Sequence, residues 1–121
     1  MHNSSTLGLG ILAIAMLAGA SAPAEARAAN ATRGRVLAIE DCSACHQVTA
    51  RQSLPPPVRD PDADENIAAP TFAVIGRKYA GDPKALRAFI VEPHYPMREQ
   101  EFLPRDLDDI VAYIRALPAK K

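Results

Sequence analysis

Five consecutive residues carry most of the chemistry open to this chain: Cys42, Ser43, Ala44, Cys45 and His46. Thiols at positions i and i+3 stand about one helical turn apart on one face, so both can reach the two vinyl groups of a single porphyrin. The imidazole directly after them falls beneath the ring, where it can bind iron as an axial ligand. Cys-x-x-Cys-His is accordingly the attachment pattern of a c-type haem. Other uses of the two cysteines fit less well. A disulfide between them would close a very short loop and restrain little of the unfolded chain. A thioredoxin-like redox pair needs a βαβ setting, and the sequence shows no strand pattern to build one. Zinc would need a second, closely spaced histidine, and His94 is too far from His46 to form such a pair.

The elements that must position this motif come from a short chain. At 121 residues it holds one small domain, with 14 basic and 14 acidic side chains in balance. That balance provides neither a basic field for nucleic acid nor an acidic tail. Eleven prolines, three tyrosines, three phenylalanines and no tryptophan leave a thin core, of the kind that a cofactor commonly completes in small proteins. Residues 1–26 read as a cleaved secretory signal. The apolar run 7–20 is shorter than the ~20 residues a membrane span needs, and the small-residue motif Ala24-Glu25-Ala26 follows it, with Arg27 as the new N-terminus. This leader is unusual in having no Lys or Arg in residues 1–6, and retention as an anchor is the alternative. The mature chain 27–121 then has no membrane span.

Four helices are expected in the mature chain. The first runs over 30–44, capped by Asn30 or Thr32, with Val36, Leu37 and Ile39 as its apolar positions leading into the motif. Periodicity then vanishes over 47–69, where Leu54-Pro55-Pro56-Pro57 and the acidic run 60–65 predict a long loop wrapped around the cofactor edge. That acidic run lacks the ligand spacing and glycine of an EF-hand and reads as solvated. Phe72, Ile75 and Tyr79 predict a short helix over 71–79, closed at Gly81. Asp82 and Pro83 open a third helix, with Leu86, Phe89 and Ile90 on one face and Pro93 after its end. The last, over 104–117, carries Leu107, Ile110, Val111, Ile114 and Leu117 at helical spacing, with Tyr113 beside the stripe. Leu103 at its cap offers no side-chain acceptor, Asp106 complements its N-terminal dipole, and Lys120 and Lys121 form a positive tail.

Between the third and fourth helices lies the loop His94-Tyr95-Pro96-Met97. With Met1 and Met16 removed in the leader, Met97 is the one methionine of the mature chain. A lone methionine is usually core filling, but a haem held at 42–46 needs either a sixth ligand or an open distal face. Met97 is the expected ligand, and His94 is its competitor.

In this order the parts resemble a known family, the small monohaem class I cytochromes c of the bacterial periplasm. The shared features are an N-terminal helix ending in Cys-x-x-Cys-His, a proline after a variable loop, a middle helix, a methionine loop, and a C-terminal helix of the form Leu-Asp-Asp-Ile-Val-Ala-Tyr-Ile-Arg-Ala-Leu (107–117). The resemblance covers nearly all of the mature chain. It implies an all-α class I cytochrome c fold, about four short helices and long loops around one haem. It also implies thioether attachment at Cys42 and Cys45, and iron ligation by His46 and Met97. Pro70 resembles the family proline whose carbonyl orients the proximal histidine. Gly34 stands where the family has a small residue at the crossing of its first and last helices. Two positions depart from the pattern. Ala38 replaces a frequent aromatic, which leaves the crossing to Leu37, Tyr113 and Ile114, and Arg98 follows the methionine where a proline often stands.

The expected function is therefore that of a periplasmic one-electron carrier and not an enzyme. It is expected to act as a monomer that docks redox partner proteins at the haem rim. One alternative is a haem subunit of a larger oxidoreductase complex. Another is a haem enzyme or gas-binding protein with an open distal site.

Overall fold

The computed structural model describes residues 27–118, so the leader expected at 1–26 and the lysine tail lie outside the described residues. Four helices carry the fold: α1 (Ala31–Cys42), α2 (Phe72–Lys78), α3 (Pro83–Val91) and α4 (Pro104–Ala116). Each starts where local chemistry favours it. The Asn30 side chain accepts from Arg33 N, Thr71 from Val74 N and Asp82 from Ala85 N, satisfying amides that a helix start otherwise leaves unpaired. Helix α4 has no side-chain cap at Leu103 and relies on Pro104 in its first turn, where no amide needs a partner. Among the described residues no helix is long and apolar enough to cross a membrane.

The core is α4 and what lies against it. Leu107, Ile110, Val111, Tyr113 and Ile114 of α4 are buried with Phe72 and Ile75 of α2 and Leu86 and Ile90 of α3. Helix α1 makes the largest contact with α4, and it does so through small residues. Val36 and Ile39, two of the apolar positions read in this helix, are 48% and 38% exposed. Gly34 and Ala38 are the buried positions of α1 instead, with Leu37 packed at the edge of the core. Shape is the reason. A Cβ on Gly34 would sit 1.8 Å from the Asp109 carbonyl oxygen and 2.9 Å from Ile110 N, so the two backbones touch and larger side chains must face outward. Gly76 of α2 plays a similar part on another side of α4, where a Cβ would come within 2.7 Å of the Ile114 carbonyl.

A charge cluster locks the α1–α4 crossing. Asp109 is 1% exposed. Its Oδ1 accepts from Asn30 N at 2.6 Å, and its Oδ2 accepts from Arg27 and Arg33 guanidinium groups, each at 2.7 Å. Arg33 also reaches Asp106 at 2.6 Å. Burial alone would raise the carboxyl pKa of Asp109. The bonds from the Asn30 amide, Arg33 and Arg27 outweigh it and hold Asp109 below the usual carboxylate range.

Two expectations need correction. The segment 47–69 is not free of strands: β1 (Val58–Asp60) and β2 (Glu65–Ile67) pair antiparallel, with Val58 opposite Ile67 and Asp60 opposite Glu65. Proline and clustered acids forbid helix but not extended backbone, and strands three residues long are too short to show an alternating pattern. The acidic run forms the hairpin tip, where the Asp60 side chain accepts from Asp62 N and Ala63 N at 2.9 and 3.2 Å and Asp64 takes a positive φ of 52°. Gly81 does not close α2 in the left-handed conformation, since no described glycine has positive φ. Helix α2 ends at Tyr79, whose amide bonds back to Ile75 and Arg77 carbonyls, and a further turn delivers the chain to Asp82.

The crossing yields two predictions. Gly34→Ala drives a methyl into rigid backbone and should cost about 3 kcal/mol, at the upper end for overpacking, as read from urea unfolding of the holoprotein. Asp109→Asn should cost about 2 kcal/mol at neutral pH, the scale of hydrogen bonds to a charged group. Because the folded pKa of Asp109 is depressed, that contribution is fully present above the unfolded value near 3.8 and is lost as pH falls through the lower folded value. The stability gap between wild type and Asp109→Asn should therefore close as unfolding is repeated at pH values from 5 downward.

Candidate haem site

Helix α1 delivers the motif. It ends at Cys42, and the chain continues as one further turn in which Cys45 N and His46 N both bond to the Cys42 carbonyl, at 3.3 and 2.9 Å. The helix thus stops two residues before the expected end at 44, while the one-turn separation of the cysteines is kept. Cys42 is half-buried and Cys45 exposed. Burial, then the Asp41 carboxylate and Cys45, push the Cys42 thiol up to about 11, so it is neutral at physiological pH.

The segment after the motif has no regular structure, so its carbonyls must find partners one by one. Gln52 Nε2 donates to the carbonyls of Ser43 and His46 at 2.9 and 3.0 Å. Phe72 N takes the Gln47 carbonyl at 3.0 Å. The buried Tyr113 hydroxyl donates to the Val48 carbonyl at 2.6 Å. Burial raises the phenol pKa of Tyr113, which keeps this donor protonated. Gln52 Oε1 in turn accepts from Val48 N at 2.9 Å. Sequence reasoning missed Gln52, because a single glutamine in an aperiodic loop carries no signature, and it gave Tyr113 no polar task.

His46 is oriented by its neighbours. Its Nδ1 lies 2.8 Å from the Pro70 carbonyl. A carbonyl only accepts, so Nδ1 carries the proton and Nε2 of the neutral ring keeps its lone pair for a metal. Phe72 supports the ring at 5.6 Å between centroids and is itself flanked by Tyr113 at 6.4 Å.

Cys42, Cys45, His46 and Pro70 line one wall of a cleft of about 360 Å³. Met97 and His94 lie on it too, from the loop between α3 and α4, and Val58 and Ile67 bring the open end of the hairpin. Phe89, Ile90 and Phe102 make much of the remainder apolar. A smaller cavity of about 30 Å³ continues inward, and it joins His46 and Met97 to Ile75, Ile110 and Ile114 of the core. His94 does not line this inner cavity. Its Nδ1 lies 2.8 Å from the Glu92 carbonyl, its ring stacks on Phe89 at 4.3 Å, and its backbone amide donates to the Met97 carbonyl at 3.2 Å.

These residues fit a covalently attached haem. Two thiols one turn apart, an imidazole with a fixed tautomer and a thioether meet at an apolar cleft in the manner a macrocycle with a central iron requires. Pro70, singled out only by resemblance, is the residue whose carbonyl meets His46.

Comparison with known proteins agrees with this geometry. Residues 31–118, from the start of α1 to the end of the described chain, match the cytochrome c family model. Cytochrome c-552 of Bradyrhizobium diazoefficiens is 32% identical over 102 residues, covering 84% of this chain and 88% of that protein. No solved structure matches the chain at a significant level. With four helices, a single short hairpin and a Cys-x-x-Cys-His motif at the end of its first helix, the chain belongs to the cytochrome c family as a small class I member, whose cofactor is one covalently attached haem c.

Proposed function

We propose that this haem-based electron carrier works in the periplasm, with Cys42 and Cys45 as the residues that would form the thioether links and His46 and Met97 as those that would ligate the iron. The observation that carries the reading is the inner cavity that His46 and Met97 share, walled otherwise by apolar side chains and Cys42. The leader pattern in residues 1–26 supports export.

When bound, haem c supplies the one-electron couple of its iron. The chain's own residues set the conditions for that couple. His46 keeps Nε2 available because Nδ1–H is committed to the Pro70 carbonyl. Met97 offers a soft thioether, which favours the reduced state relative to a second imidazole. Phe89, Ile90, Ile110 and Ile114 keep water from the space between the two ligands, which lowers the local dielectric and again opposes extra charge at the centre. Gln52, Phe72 and Tyr113 hold the motif loop by its carbonyls, so little structure must move when the charge of the centre changes. With His46 and Met97 both holding it, the iron would have no site left for a substrate, and partners are redox proteins that dock where Cys45 and the cleft mouth reach the surface.

The ferric protein should show the weak long-wavelength band of sulfur-to-iron charge transfer, and the ferrous protein a low-spin c-type spectrum. Met97→Ala should abolish that band and lower the midpoint potential. Absence of the band in wild type, or its survival in Met97→Ala, removes Met97 from the ligand set. Native ferrous protein should bind carbon monoxide slowly, since Met97 must first leave.

A further inference from the structure

His94 has no part in the ligand set proposed above, yet its local geometry repeats that of His46. In each ring Nδ1 stands 2.8 Å from a backbone carbonyl, Glu92 for His94 and Pro70 for His46. Each neutral imidazole therefore carries its proton on Nδ1 and keeps the lone pair of Nε2 free. This is the arrangement that metal-binding histidines use to fix tautomer and ring direction. Both residues line the same cleft.

The His94 ring is also held in place. It stacks on Phe89 at 4.3 Å with planes inclined by 27°, and Phe89 packs on Tyr79 at 5.5 Å. Its link to Met97 is short: the His94 amide donates to the Met97 carbonyl, and the two residues form an antiparallel bridge across one tight turn. Exchanging one side chain for the other would release the stacking on Phe89 and rearrange the four-residue loop 94–97.

We propose that His94 is a reserve axial ligand, whose Nε2 takes the iron position when the Met97 sulfur is lost from it. The proposal rests on Met97 being the resident sixth ligand. The exchange is one neutral donor for another: the thioether leaves intact, the imidazole lone pair enters, and neither electron nor proton changes hands. Replacing sulfur by imidazole favours the ferric state and lowers the potential. A carrier that loses Met97 is then held closed at lower potential and not left open to small ligands.

The test compares holoprotein of wild type, His94→Ala, Met97→Ala and the double variant by ferric and ferrous absorption, electron paramagnetic resonance and carbon monoxide binding. Wild type and His94→Ala should both keep the sulfur band. Met97→Ala should lose it yet remain six-coordinate and low-spin with a bis-histidine resonance, and bind carbon monoxide far more slowly than a high-spin double variant. If Met97→Ala is already high-spin and binds carbon monoxide as fast as the double variant, the proposal is overturned. A double variant as low-spin as the single one overturns it as well. A wild type without the sulfur band that turns high-spin in His94→Ala would make His94 the resident ligand and overturn both readings. Met97→Leu, which keeps the side-chain volume, repeats the comparison should Met97→Ala fail to hold haem.

Discussion

Backbone contact between α1 and α4 is the constraint on which the remaining structure depends. Gly34 removes the one atom that would hold the helices apart, and Asp109 then bonds from α4 to three groups at the start of α1. The contact fixes both the angle and the register of α1. Since Cys42 is the last residue of that helix, fixing α1 also fixes where the Cys-x-x-Cys-His motif begins. A buried carboxylate is costly unless paired and hydrogen-bonded. Here it is paired twice and bonded to an amide, so the arrangement specifies one crossing and penalises others, because any slip leaves Asp109 buried without partners.

Beyond Cys42 the constraint passes from helix to individual hydrogen bonds. The carbonyls of Ser43, His46, Gln47 and Val48 are each taken by a donor that lies elsewhere in the chain, on Gln52, Phe72 or Tyr113. Two of those donors belong to helices that already pack on the core, so the motif loop inherits their rigidity. The Pro70 carbonyl adds the last restraint, on the His46 ring itself. The turn that carries Cys42, Cys45 and His46 is thereby positioned with very little regular structure.

The four helices, two of their caps and the placement of the motif at the end of α1 were legible in the sequence, because each depends on local spacing and on residues adjacent in the chain. Asn30, with Thr32 as its competitor, and Asp82 announce their helices by residue type, whereas Thr71, read as the first residue of its helix, proves to be the cap. The details that were not legible depend on distant partners. Val36 and Ile39 look like core residues until Gly34 and Asp109 bring α1 too close to α4 to admit them. Gln52 gains its meaning only when the loop folds back on Ser43 and His46. The hairpin at 58–67 is too short for periodicity, and its proline and acidic neighbours signal only that no helix forms. For the site, the clustering of Cys42, Cys45 and His46 follows from adjacency, and Met97 stood out as the one methionine left in the mature chain, whereas the place of Pro70 came from family resemblance and not from any pattern along the chain.

The hairpin has a consequence for how such a protein can diversify. Val58 and Ile67, at its open end, contribute to the cleft wall, while its tip is exposed and closed by its own Asp60 side chain. Its tie to the methionine loop is a 3.5 Å contact from the Tyr95 hydroxyl to the Arg59 carbonyl. The tip can therefore lengthen, shorten or change sign of charge between 60 and 65 without replacing a residue that lines the cleft. An insertion at that tip would add exposed surface beside the cleft while leaving the residues that line it unchanged.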